Sequence, residues 1–177
     1  MKAKILLSTA ITAIGLGLTA QMRVGYTNVE YILSLMPEAK QIESELSAYN
    51  KQLSTQLESK YKDYQTKAAD YQQNAESYTE IVRADKENEL INLQTSIQEF
   101  ETNAQNSLVN KRNQLLQPAF EKIGIAIEQV AKENAYTHVF NMTASGESIL
   151  LYAREEDNVT NLVLQKLGID PPADGGN

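Results

Sequence analysis

The side chains that most often carry out catalysis are scarce in this sequence of 177 residues. It contains one histidine and no cysteine, so a cysteine nucleophile and a thiolate metal site are excluded. His138 lies in a strand-like stretch, and no acidic residue stands at a spacing that would orient its imidazole as a general acid or base. We therefore assign His138 a structural or surface role and predict that the protein is not an enzyme.

Carboxylates are numerous, but their spacing does not predict a cofactor or metal site. Glu43 and Glu45 are two residues apart, so they do not share one face of a helix. The run Glu155-Glu156-Asp157 could attract a cation, but we favour a solvated turn in which Asp157 caps the next helix. The sequence has no glycine-rich phosphate loop. We predict neither a cofactor nor a bound metal.

Residues 1–20 have the pattern of a secretory signal peptide. Lys2 and Lys4 precede an apolar stretch from Ile5 to Leu18, and Ala20 offers a small residue before a cleavage site. A membrane anchor is the alternative, but the stretch is shorter than the roughly 20 residues that a spanning helix needs. Removal of the two lysines leaves 14 basic and 23 acidic residues, a net charge of −9, on a mature chain beginning near Gln21. That charge argues against a nucleic-acid partner.

A long helical segment dominates the mature chain. The 80 residues from Glu38 to Gln117 include no glycine and no proline, and they are rich in strong helix formers. Apolar residues recur there every three or four positions, which places them on one face of a nearly straight helix. In the first half they are Ile42, Leu46, Tyr49, Leu53, Leu57, Tyr61, Tyr64, Ala68, Tyr71, Ala75, Tyr78 and Val82. A second stripe follows from Leu90 to Leu115, and each stripe needs a partner.

Short strand-like segments flank this helical region. One spans residues 24–29, and "AYTHVFNM" and "SILLYA" follow the helices, joined by a turn at Gly146. An unbroken helix from Glu38 to Gln117 would hold the flanking strands ~120 Å apart, too far to pair. The chain should therefore reverse, and we predict that it does so near residues 79–89. Each arm of the resulting hairpin would be roughly 60 Å long.

The predicted fold class is α+β, mostly α, with a small β-containing base and a long antiparallel helical-hairpin arm. Residues 21–36 would form the first strand and the start of the base, 37–117 the arm, and 118–170 the rest of the base. Pro118 would kink the helix where the arm meets the base, or separate two consecutive helices. A short helix with Val159, Leu162, Val163 and Leu167 on its apolar face would end at Gly168. Residues 171–177 are predicted to be a disordered tail.

Four segments in this order resemble the Skp family, also called the OmpH-like periplasmic chaperones. They are "VGYTNVEYIL", "MPEAK", "RNQLLQPAFEKIGIAIEQVAKENAYTHVF" and "LLYAREEDNVTNLVLQKLG", and the stretch from Arg112 to Tyr136 is the most specific. The resemblance implies a periplasmic homotrimer of jellyfish shape, in which strands of three bases form one β body and three arms surround a cavity. It also implies that unfolded outer-membrane β-barrel proteins are held in that cavity without ATP.

The charge of this chain departs from the family pattern. Well-known members are basic, whereas residues 38–133 here contain 11 basic and 16 acidic side chains. The acidic charge makes contact with membranes or lipopolysaccharide doubtful, so clients should be bound chiefly by apolar or tyrosine side chains. The tyrosines offer apolar area and an adaptable hydroxyl, but we favour for them the role of hairpin seam, with apolar residues outside that stripe lining the cavity.

Candidate residues for the two implied roles follow from this pattern. The client-binding candidates on the arm are Tyr64, Tyr71, Tyr78, Ile81, Ile91, Val109 and Leu116. The candidates for the base and for contacts between copies are Val24, Tyr26, Val29, Val139, Phe140, Ile149 and Leu151. A structural coiled-coil spacer or adaptor of the cell envelope is the alternative function, because it would share the signal and the helices.

Overall fold

The computed structural model describes residues 22–144 and 146–172. The predicted signal peptide lies outside the described residues, as do residues 173–177 of the predicted tail. Described helices are α1 (Val29–Leu35), α2 (Pro37–Asn74), α3 (Glu80–Glu133) and α4 (Thr160–Lys166). Described strands are β1 (Val24–Thr27), β2 (His138–Asn141), β3 (Thr143–Ala144) and β4 (Glu147–Ser148).

Strands β1 and β2 form a two-stranded parallel sheet at the centre of the base. Val24 lies opposite His138 and Thr27 opposite Asn141. Parallel pairing needs a long crossover, and the connection here is the whole run of α1, α2 and α3. The other edge of β1 is also engaged, because the backbone N–H of Val159 donates to the carbonyl of Tyr26 at 2.8 Å.

The three strand-like segments of the sequence do not form one sheet among the described residues, which contain two separate two-stranded sheets. Strand β1 ends at Thr27 because the side chain of Asn28 accepts a hydrogen bond from Tyr31 N at 2.9 Å and caps α1. Val29 is therefore the first residue of a helix and not part of a strand.

The segment "SILLYA" was expected to be a strand, but only Ser148 belongs to one. It pairs in the short antiparallel hairpin of β3 and β4, where Gly146 adopts a φ of +83°. The backbone N–H groups of Ile149 and Leu150 both donate to the carbonyl of Met142, which ends regular pairing. Ile149 and Leu151 therefore lie outside the described sheets.

Helices α2 and α3 form the expected antiparallel hairpin, but the chain reverses at residues 75–79. The predicted segment, residues 79–89, is wrong because all of it after Thr79 belongs to α3. Thr79 is the N-cap, with its hydroxyl accepting from Val82 N at 3.4 Å. The 38 and 54 residues of α2 and α3 correspond to about 57 and 81 Å of helix.

Pro118 does not separate two helices, because α3 continues through it from Glu80 to Glu133. Proline removes the hydrogen bond to the carbonyl four residues earlier, that of Gln114. Gln114 and Pro118 are both exposed, so water can bind that carbonyl. One helix therefore runs from the arm into the base.

The last helix begins later than expected. Asp157 ends a 3-10 turn, Val159 is the N-cap of α4, and the Asn158 side chain accepts from Thr160 N at 2.9 Å. Gly168 ends the helix with a φ of +75°, as predicted. Leu162 is 38% exposed and Leu164 is fully buried, so the buried face of α4 is rotated from the expected one.

The core of the base is small and lies between α1, α3 and α4. Its fully buried large apolar residues are Ile32, Ile123, Val159, Val163 and Leu164. Ala119 and Ala126 are also buried, and their small size lets α3 approach its neighbours closely. The hydroxyls of Thr27 and Thr160 meet at 3.2 Å within this core, so both are satisfied.

Ala135, just after α3, has the left-handed φ of +55°, which costs a non-glycine residue about 1 kcal/mol. Ala135→Gly should therefore stabilise the fold by about 0.5 kcal/mol, measured by urea unfolding of residues 21–177 at fixed protein concentration. Ala69→Gly, at an exposed site inside α2, is the control and should destabilise by about 1 kcal/mol. Equal losses from both substitutions would contradict the conformational argument.

Candidate functional site

The arm buries little apolar surface along its own seam. Ile42 at the base end and Ile97 near mid-arm are buried, at 9% and 5% exposure. The seam leucines Leu53, Leu57 and Leu108 are only partly buried. A pair of helices covers each stripe from one side only, so a thin seam follows from the architecture.

Polar side chains link the two helices across the seam. Near the base Lys122 pairs with Glu38, and Lys111 with Glu45 at 3.9 Å. Further out, Lys60 donates to the Ser96 hydroxyl at 2.9 Å and the Tyr61 hydroxyl to Glu101 at 2.8 Å. Towards the tip, Lys67 pairs with Glu89 and Tyr71 donates to Glu87. These links fix the antiparallel register where apolar burial is weak.

The hydroxyls of Tyr71 and Tyr78 make hydrogen bonds within the arm. Tyr71 donates to Glu87 on α3, and Tyr78 donates to Asp70 at 3.0 Å, with the two rings 6.4 Å apart. The hydrogen bond to Glu87 raises the pKa of Tyr71, and burial together with Asp70 raises the pKa of Tyr78. Tyr64 is partly buried. This placement supports the seam role that the sequence also favours, while client contact by these rings stays a prediction.

Three of the four apolar candidates outside the seam are exposed. Ile81, Ile91 and Val109 are 83%, 59% and 57% exposed, and Leu116 is partly buried. Phe120, expected from the sequence to pack on the sheet of the base, is instead 43% exposed. At about 100° per residue, Ile91, Val109, Leu116 and Phe120 fall within about 40° of one another, while Ile81 is about 80° away. We call these four residues the α3 outer stripe, and the same 3.6-residue spacing in the sequence could have revealed it.

The candidates on the base fall into two groups. Val24, Tyr26, Val29 and Val139 are partly buried, and Val29 and Val139 pack against the core. Phe140, Ile149 and Leu151 are 52%, 60% and 94% exposed, and Tyr152 beside them, which sequence reasoning missed, is 84% exposed. The base therefore presents an apolar segment that this single chain does not cover.

The described residues contain no group of three or more histidine, cysteine or acidic residues that could hold a metal ion. His138 is exposed, hydrogen-bonds Thr137 at 3.1 Å and stacks on Phe140 with ring centroids 6.2 Å apart. Arg154 binds Glu156 at 2.6 Å and Asp157 at 3.1 Å, so the acidic turn is partly neutralised from within. No helix in the described part of the chain is long and apolar enough to span a bilayer.

A small β base that carries one long antiparallel helical hairpin defines the class of this protein. Residues 23–167 match the family model described as outer membrane protein (OmpH-like), and the chain therefore belongs to the OmpH-like family. The family and the fold class predicted from the sequence are thereby confirmed.

A solved structure is similar in fold. It is a Caulobacter crescentus CB15 protein provisionally described as an outer membrane chaperone (OmpH-like). The two chains share 12% sequence identity, and their structures superpose with a TM-score of 0.67. The similarity covers 82% of this chain and 83% of the Caulobacter protein. No curated protein sequence matches the chain.

The link between Lys67 and Glu89 should make the outer arm sensitive to acid. The Lys67 hydrogen bond lowers the pKa of Glu89 below its usual 4.5, so this link stabilises the arm above that pH and is lost as the pH falls through the lowered pKa. Glu89→Gln should therefore speed amide hydrogen exchange around residues 67 and 89 at pH 7, and this effect should shrink as the pH falls below 4.5 and the unmodified carboxylate takes up a proton.

Glu99→Gln is the matched control, because Glu99 is exposed and makes no ion pair or side-chain hydrogen bond with the described residues. Each variant is compared with the unmodified chain at the same pH, since exchange itself depends on pH. Identical exchange in Glu89→Gln and the unmodified chain at pH 7 would show that the link does not stabilise the arm.

Proposed function

We propose that this protein is an ATP-independent periplasmic holdase, which binds unfolded outer-membrane proteins between helical arms and prevents their aggregation. Membership of the OmpH-like family and the fold shared with the Caulobacter protein support this function. The signal-like pattern at residues 1–20 supports a periplasmic location.

The α3 outer stripe is the observation that carries the proposal. From Ile91 to Phe120 it extends over about 44 Å of helix, with Ile91, Val109 and Phe120 exposed and Leu116 packed partly against the core. Exposed apolar side chains arranged along one face indicate a binding surface. Contacts spread over such a length would each be weak, so a client would be retained without being held in one conformation.

Apolar contact is favoured over electrostatic capture because the outer arm is acidic. Between residues 70 and 101 there are 8 acidic and 2 basic side chains, a net charge of 2 − 8 = −6. An acidic client would be repelled there, and this repulsion weakens as salt is added. Capture by the outer stripe should therefore persist at high salt.

Assembly into a homotrimer is part of the proposal. The exposed segment of Ile149, Leu151 and Tyr152, together with Phe140, offers apolar surface that neighbouring copies would cover. The arms of three copies would then surround one cavity.

The direct test mixes residues 21–177 with a urea-unfolded outer-membrane β-barrel diluted into buffer without ATP. Light scattering and the mass of any complex are followed at low and high salt. A soluble complex with three copies of this chain, stable at high salt, is expected. Unchanged scattering with no complex would overturn the holdase function for this client class and favour the envelope spacer.

The double substitution Ile91→Gln and Val109→Gln should weaken suppression of aggregation. Both sites are more than half exposed, so the fold should be kept while apolar contact area is lost. We expect about threefold more protein to be needed for half-maximal suppression.

Ile125→Gln is the matched control, since Ile125 is 57% exposed and lies about 160° from the outer stripe around α3. Circular dichroism and the mass of the free protein check fold and assembly. Equal suppression by the double variant and the unmodified chain would exclude the outer stripe as the client surface.

A further inference from the structure

A hollow of about 360 Å³ lies between α2 and α3 along the middle of the arm. Leu53 and Leu57 line it from α2, and Phe100, Ala104 and Leu108 line it from α3. We call this hollow the mid-arm slot. All five residues are only partly buried, whereas Ile97 on the adjacent turn is 5% exposed. The seam is thus closed at Ile97 and open beside Ala104, whose methyl group is too small to fill the space between its larger neighbours.

Cross-arm links stand on both sides of the mid-arm slot. Lys111 pairs with Glu45 towards the base, and Lys60 and Tyr61 bind Ser96 and Glu101 towards the tip. The amine of Lys60 also lies 5.6 Å from the centre of the Phe100 ring. The slot therefore lies between two points at which side chains of α2 and α3 contact each other.

The rim of the slot is polar and mostly uncharged. Asn50, Ser54 and Gln105 line it, and their side chains form no hydrogen bond with the described residues. Each of these side chains can both donate and accept. Glu101 is the charged member of the rim, and the Tyr61 hydroxyl already donates to its carboxylate at 2.8 Å.

We propose that the mid-arm slot binds apolar side chains of an extended, unfolded polypeptide while the rim bonds its backbone; this rests on the proposed holdase function. An unfolded chain carries groups that match both the apolar lining and the polar rim of the slot. Its apolar side chains match the leucine and phenylalanine lining, and its unpaired N–H and C=O groups match the amides and hydroxyl of the rim. A lipid acyl chain would match only the lining.

The spacing of the lining selects a type of sequence. Leu53 and Leu57 are one helical turn apart, about 6 Å, as are Phe100 and Ala104. In an extended chain, residues i and i+2 point to the same side and are about 6.6 Å apart. Segments that alternate apolar and polar residues therefore fit the slot, and strands of outer-membrane β-barrels have this alternation. The slot is thus a site for β-barrel strands before they pair.

The test uses a fluorescent peptide of about ten residues in which phenylalanine and leucine alternate with serine and threonine. Its binding to residues 21–177 is followed by fluorescence anisotropy. Ala104→Leu fills the slot from α3 and should weaken binding about tenfold, while the thermal midpoint stays equal or rises. Ser54→Leu fills the slot from α2 and should also weaken peptide binding. The proposal can therefore still be tested if one of the two variants does not fold. Ala69→Leu, at an exposed site on α2, is the control and should bind as the unmodified chain does.

Aggregation of the unfolded β-barrel is measured on the same variants, so that the slot and the holdase function are judged separately. Loss of peptide binding in both filled variants, but not in Ala69→Leu, supports the slot whether or not the unmodified chain suppresses aggregation. Equal peptide binding by all variants, or no saturable binding by the unmodified chain, overturns the slot. Suppression of aggregation in that case would leave the holdase function standing.

Discussion

A pair of helices cannot bury both of its apolar stripes, and this shortage of buried surface shapes the whole arm. Each helix has one neighbour in the hairpin, so the seam is covered from one side, and Leu53, Leu57 and Leu108 stay only partly buried. Polar links between α2 and α3 add to this limited burial. Exposed pairs of this kind contribute little individually, and they weaken with salt when charged. An arm built in this way keeps apolar surface within reach of another chain.

The continuity of α3 connects that weak arm to a better packed base. The same helix that faces α2 along the arm buries Ala119, Ile123 and Ala126 against α1 and α4. Because the end of α3 is fixed in the core, the arm leaves the base in a defined direction although its seam is thin. Arg23, the residue before β1, strengthens this end by donating to the carbonyl of Asn134 and stacking 4.2 Å from the centre of the Tyr136 ring. The sheet and the end of α3 are thus held together where the chain leaves the helix.

The sequence predicted the parts of this fold that depend on periodicity. The hairpin follows from two apolar stripes and from the need to bring distant strands together, and neither depends on exact element ends. The errors lie where one or two side chains decide the local structure. Asn28 caps a helix that turns Val29 out of the strand, and Thr79 begins α3 before most of the polar stretch expected to form the turn. The irregular path after Ser148 depends on two N–H groups that share the carbonyl of Met142, which no pattern of residue types reveals.

Only part of the candidate site could be predicted from the sequence, because the rest depends on how the two helices are aligned. Periodicity placed the tyrosines on the seam, but their partners Glu87 and Asp70 depend on the register between the helices and on the position of the turn. The outer stripe could be read from spacing alone, whereas the mid-arm slot required knowing that Ala104 lies beside Leu53 and Leu57.

The acidic charge of the arm also affects the width of the proposed cavity. In the proposed trimer the three outer arms, each with a net charge of −6 between residues 70 and 101, would repel one another over a Debye length, which is about 8 Å at physiological ionic strength and longer at low salt. Repulsion would spread the arms at low salt and let them approach at high salt, so the width of the cavity would vary with ionic strength although client contacts are apolar.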